Sequence, residues 1–116
     1  MNPDLAVASL SALAQSSRLA IFRLLVTAGP EGLAVGAISD ALQIAPATLS
    51  FHLKTLTQAG LLLSRQEGRF IFYGANFAGM DDLIAFLTDN CCNGEACLPK
   101  TVASSQGNGR RVKSCS

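Results

Sequence analysis

Residues 47–60 read ATLSFHLKTLTQAG, and the reading of this stretch decides the fold. Leu49, Leu53 and Leu56 recur at helical spacing and form one apolar face. At about 100° per residue, Ala47, Phe51, Lys54 and Gln58 point the opposite way, with Thr48 and Ser50 on the flanks. Pro46 suits the first position of a helix, where no backbone N–H is needed. Gly60 ends it. The result is an amphipathic helix whose polar side carries small residues, one lysine and an unexplained phenylalanine.

Working outward, the preceding stretch LAVGAISDALQI predicts a short helix, and Ile44-Ala45-Pro46-Ala47 breaks it with a tight turn. Short helix, turn and amphipathic second helix make a helix-turn-helix. Downstream the period changes to that of strands. Leu61 to Gln66 and Arg69 to Ala75 predict a hairpin around Glu67-Gly68, the wing of a winged helix-turn-helix. Two helices open the chain. Asp4 to Gln15 has a stripe of Leu5, Ala8, Leu10 and Leu13. The run SRLAIFRLLVTAG follows, with a cap at Ser16-Ser17, a stripe of Leu19, Phe22, Leu25 and Val26, and a stop at Gly29-Pro30. Met80 to Asn90 predicts a closing helix with Leu83, Ile84, Phe86 and Leu87 apolar, and Asn93-Gly94 as a helix-ending signal. The expected class is therefore mainly α with a β-hairpin. Residues 1–99 form one domain, and 100–116 form a basic tail with too little apolar surface to fold.

The first turns of a recognition helix reach base edges. Ala47, Thr48, Ser50 and Phe51 are the candidates for base contact, and Lys54, one turn later, is placed for phosphate. The plain alternative is a solvated helix face, but a phenylalanine on a polar face needs a partner. His52, the only histidine, lies about 60° from the centre of the leucine face. Two roles stay open for it, a half-buried structural histidine or a DNA contact. Arg69 at the wing tip is placed for a minor groove or a phosphate, with a solvated hairpin arginine as the alternative; Arg65 is a weaker candidate.

The 116 residues are 49% hydrophobic and 15% charged, enough for one core. Net charge is +1, unevenly spread: residues 1–99 carry five basic groups against eight acids, and residues 100–116 carry four basic groups and no acid. A DNA contact must therefore rest on a few well-placed groups, and two copies on a palindrome would double them. No apolar run approaches the roughly 18 residues of a membrane span. Arg18 interrupts the N-terminal apolar stretch, which argues against a signal peptide. The expectation is a cytoplasmic protein with reduced thiols.

ATLSFHLKTLTQAGLL followed by GRFIFYGAN resembles the recognition helix and wing of the ArsR/SmtB repressors, and ALAQSSRLAIFRLL is similar to that family's second helix. The resemblance covers about residues 5–92. It implies a homodimer on double-stranded operator DNA, released by an inducer, and no enzyme activity. It places His52 at the family's Ser-x-His-Leu position. Leu5, Leu10 and Leu13 of the first helix, with Leu83, Ile84 and Leu87 of the last, are expected in the subunit interface.

Residues 90–97, NCCNGEAC, crowd three of the four cysteines together. Cys91 and Cys92 cannot face one point while a helix stays regular, but a Gly94 turn would let Cys97 return to them. Structural zinc prefers four Cys or His ligands, and no histidine is near. Soft thiolates select soft ions. Arsenite, As(III), and antimonite, Sb(III), bind three thiolates, and the resemblance makes arsenite the natural inducer at a site of Cys91, Cys92 and Cys97. No organic cofactor is expected. The chain departs from better-known family members in two places. Leu33-Ala34-Val35-Gly36-Ala37 lacks the cysteines that many arsenic sensors carry there. Asp81 and Asp82 come without the histidines of the zinc sensors. Cys115, in the tail, could reach the site as a fourth ligand, but three thiolates suffice without it. A disulfide or polysulfide bridge between Cys97 and Cys91 or Cys92 would instead make a redox sensor of the same fold. A thiol-disulfide enzyme is disfavoured, since there is no Cys-x-x-Cys.

Overall fold

Asn2 starts the first helix by accepting a hydrogen bond from the Leu5 N–H at 2.8 Å, with Pro3 next to it. In the computed structural model, which describes residues 1–91, this is α1 (Pro3–Leu13). The chain continues through α2 (Ser16–Ala28), β1 (Leu33–Ala34), α3 (Val35–Leu42), α4 (Pro46–Gln58), β2 (Leu62–Glu67), β3 (Phe70–Ala75) and α5 (Phe77–Leu87). The predicted tail and the Asn93-Gly94 signal lie outside the described residues. One compact unit runs from Met1 to Phe86. Among the described residues no single helix is long and apolar enough to cross a membrane.

The core follows from the leucine face. Leu49, Leu53 and Leu56 of α4 are at most 1% exposed, and they meet Ile21 and Leu25 of α2, Ile38 of α3, and Leu61 and Leu62 at the start of the wing. Burying each such side chain contributes about 1.5–3 kcal/mol relative to exposure, so α4 is the element around which the others pack.

Several boundaries differ from the sequence reading. The cap of α2 is Gln15, whose Oε1 accepts from the Arg18 N–H at 2.8 Å, while Ser16 and Ser17 lie in the first turn. Ile21, not Leu19, faces the core, and Leu19 is exposed. Leu33 and Ala34 pair antiparallel with Tyr73 and Phe72, so the hairpin is a three-stranded sheet in the order β1-β3-β2. Two residues are too few for an alternating pattern to show. The approach is close at Gly32 (φ 72°), where a Cβ would collide with the Tyr73 carbonyl. The hairpin turns at Gly68-Arg69 rather than Glu67-Gly68, because Glu67 still pairs with Phe70 and Gly68 takes φ 62°. The last helix begins at Phe77, not Met80. Asn76 caps it by accepting from the Gly79 N–H at 3.1 Å and ties it to the end of α4 by donating to the Gly60 carbonyl at 2.9 Å.

α1 buries Ala6, Ser9 and Ala12, not its predicted leucine stripe. Leu5, Val7 and Leu10 are exposed, and Leu13 packs partly on the core. On α5, Ile84 and Leu87 are exposed while Leu83 is buried within its own chain, so Leu83 leaves the predicted interface set.

Candidate nucleic-acid interface

The turn between α3 and α4 is held by three local bonds. Ser39 Oγ donates to the Ile44 carbonyl at 2.6 Å, and the Ile44 N–H donates to the Ser39 carbonyl at 3.2 Å. Gln43 takes the left-handed conformation (φ 55°), with its amide donating to the Asp40 carbonyl at 2.7 Å. A non-glycine residue there is uncommon; the bonds around it hold it. This turn sets the angle at which α4 leaves α3.

With its leucines buried, α4 presents Ala47, Thr48, Ser50, Phe51 and Lys54 to solvent. Phe51 is 64% exposed, an outward aromatic ring in the middle of this face. Small side chains at the start of the helix permit close approach to a base edge, hydroxyls can bond either base type, and an apolar group can meet a thymine methyl. The structure therefore brings five of the sequence-chosen residues onto one open face.

His52 departs from them. It is 8% exposed, with Nδ1 3.4 Å from Arg18 Nη1 and its ring edge-on to Phe51 at 5.9 Å between centroids. Burial, and then the nearby Arg18 charge, hold its pKa below the ordinary histidine value of 6.5. Its surroundings match the structural role of the two left open by its position on the helix.

The wing carries Arg69 at its turn, exposed and without an ion pair among the described residues. Arg65 is committed elsewhere. Its Nε pairs with Glu67, its Nη1 donates to the Glu31 carbonyl at 2.7 Å, and its guanidinium lies 4.8 Å over the Phe72 ring. It braces the wing against the turn before β1. Phe70, beside Arg69, is 63% exposed.

Of the predicted thiol site, only Cys91 falls within the described residues; Cys92, Cys97 and Cys115 lie outside them. After α5 the chain turns, Asn90 takes φ 59°, and the Cys91 N–H donates to the Thr88 carbonyl at 2.9 Å. Cys91 thus stands past the helix rather than on it. Among the described residues, no three His, Cys, Asp or Glu side chains gather into a metal site.

Residues 13–65 match a helix-turn-helix domain family. Over 58 residues the chain is 43% identical to YceK of Bacillus subtilis, an uncharacterised helix-turn-helix transcriptional regulator, covering 50% of this chain and 57% of that protein. Over 79 residues it is 38% identical to a Halobacterium salinarum protein whose name proposes an arsenical resistance operon repressor, covering 68% of this chain and 60% of that one. The chain thus spans less than two thirds of the length of either curated relative. Among solved structures, HlyU from Vibrio cholerae superposes with a TM-score of 0.62 at 31% identity, covering 79% of this chain and 99% of that one. HlyU has also been described in a reduced form. A homodimeric winged helix-turn-helix domain from Mycobacterium bovis, a possible ArsR-family regulator, matches at TM-score 0.60 and 28% identity, covering 79% and 85%. Both curated relatives and the Mycobacterium bovis domain carry the names of transcriptional regulators, proposed ones in two of the three cases.

Proposed function

The chain belongs to the ArsR family of winged-helix transcriptional regulators, and on that premise we propose that it is a homodimeric repressor whose operator binding is relieved by arsenite. The observation that carries the DNA half is the division of α4 into a buried leucine face and an open face of Ala47, Thr48, Ser50, Phe51 and Lys54. The open face enters a major groove, and Arg69 on the wing meets the adjoining backbone or minor groove. One chain offers Lys54 and Arg69 as cations for this contact, so tight binding needs a second copy. The exposed leucines of α1 are the natural seat for that copy, and the Mycobacterium bovis relative is a homodimer.

The inducer half rests on the donor set of the sequence and on the arsenic-named relative. Cys91, Cys92 and Cys97 supply three soft thiolates to arsenite or antimonite. Binding at the end of the last helix changes the dimer, and the recognition helices leave their half-sites. This is allostery only if arsenite binds the DNA-free form more tightly. Thiolate must replace thiol, so inducer affinity rises with pH.

The same cysteine set carries a second reading. A disulfide or polysulfide bridge between Cys97 and Cys91 or Cys92 would make a redox or persulfide sensor of the same fold. The test is DNA release followed by fluorescence anisotropy for the wild type and four single Cys→Ser variants. Under strictly reducing conditions, arsenite is expected to release the wild type and the Cys115→Ser variant, but not the variants at Cys91, Cys92 or Cys97. Release by oxidant alone, with no response to arsenite, would instead establish the redox reading.

A further inference from the structure

α1 buries only small residues, Ala6, Ser9 and Ala12, and packs beside α4 with little apolar area of its own. Two polar links cross this seam. Ser9, 3% exposed, donates through Oγ to the Ala59 carbonyl at the end of α4, at 3.2 Å. Arg18 spans the other end. Its Nε donates to the Ala12 carbonyl of α1 at 2.7 Å, and its Nη1 stands 3.4 Å from Nδ1 of His52 on α4.

The chemistry of the second link is fixed by its donor. Arginine has only N–H donors and does not give up its proton. Nδ1 of His52 must therefore accept, so the ring is neutral with its proton on Nε2. A protonated ring would have no lone pair to offer and would place a second cation beside the guanidinium. The elements packed on α4 carry Asp4 on α1, Arg18 and Arg23 on α2, Asp40 on α3, and Arg65 and Glu67 on β2. Of these, Arg18 alone acts on the ring.

We propose that Arg18 and His52 are positioning residues, a clamp that fixes the recognition helix to α1 and so to the subunit interface, and that protonating His52 opens it. The proposal rests on the dimeric DNA-binding reading above. It gives a role to a buried histidine on α4. It also makes operator affinity fall in acid, opposite to the gain expected as a protein becomes more positive near DNA.

The experiment titrates a fluorescent operator duplex with the full chain from about pH 7.5 to about pH 4.5, a span that runs well below the ordinary histidine value because burial and Arg18 lower that of His52. Sedimentation and far-UV circular dichroism are recorded at each pH. Wild-type affinity is expected to fall about tenfold, the scale of one hydrogen bond to a charged group, while dimer and helix content hold. His52→Asn places an amide oxygen near the Nδ1 position and accepts from Arg18 at every pH. It should bind as wild type at the upper pH and lose the acid dependence. Arg18→Lys cannot reach both partners and should bind about tenfold more weakly throughout while remaining a dimer. A flat wild-type profile, an acid-sensitive His52→Asn variant, or an Arg18→Lys variant that folds and binds as wild type would each overturn the clamp. A wild-type dimer that binds no duplex at any pH would overturn the function proposed above, and the clamp with it.

Discussion

α1 and α4 are both amphipathic, but they are built inside out with respect to each other. α4 turns Leu49, Leu53 and Leu56 to the core and shows solvent small and polar groups with one phenylalanine. α1 turns Ala6, Ser9 and Ala12 inward and shows solvent Leu5, Val7 and Leu10. A stripe of large apolar residues marks a surface that must be covered, without saying by what. On α4 the cover is the chain's own core. On α1 nothing among the described residues covers it, and the homodimer proposed above would supply a second copy.

The sharpest way to break this contrast is to cut both stripes. Leu53→Ala removes a fully buried side chain and should cost about 2–5 kcal/mol in denaturant unfolding. Leu10→Ala should cost the isolated chain no more than about 0.5 kcal/mol, as surface changes do. Equal losses would mean that the two stripes do the same work.

Much of the fold was legible because the α4 leucines keep one period and one face, and the strands change that period abruptly. The α1 stripe was just as periodic and was read as a helix correctly, yet periodicity cannot separate a core face from a partner face. β1 escaped because two residues carry no alternation. The start of α5 escaped because Gly79 looks like a break, whereas it is where Asn76 needs a near backbone N–H to cap. At the interface, the outward residues of α4 followed from helix geometry alone. The angle of His52 fell between the two faces, and only the position of Arg18, 34 residues away, decides its surroundings.

The outward face of α1 has its own test, smaller in free energy. Leu10→Glu should move the chain toward monomer in sedimentation velocity, with a penalty of about 2 kcal/mol if Leu10 sits near the centre of the interface. Folding of the single chain should be unchanged. For the outward face of α4, Ser50→Ala should relax preference at one base pair by about 1 kcal/mol, the low end for a single polar contact. Arg69→Ala should weaken binding to all sequences alike and reduce the salt slope by about one. Competition with mismatched duplexes across a salt series separates the two outcomes. The smallest effect concerns His52. Its pKa is lowered in the folded chain, so the unfolded chain takes up the proton first. Folding stability should hold above pH 6.5, the ordinary value, decline as pH falls from there toward the lower folded value, and level off below it. The His52→Asn variant should lack that decline in thermal melts.

The third strand also has a consequence for how the chain folds. β1 is two residues long and pairs with β3 at Leu33 and Tyr73, 40 residues apart in sequence. It cannot form as an independent element, and closing so long a loop costs entropy that only the finished hairpin repays. The entry to α3 is therefore set late, after β2 and β3 have met. Arg65 reaching back to Glu31 adds to the same closure. The helix-turn-helix and the wing are one cooperative unit, not a reading head with an appendage. A fragment that stops at the end of α4 would leave the start of α3 unpaired, and its recognition helix would have no settled direction to point.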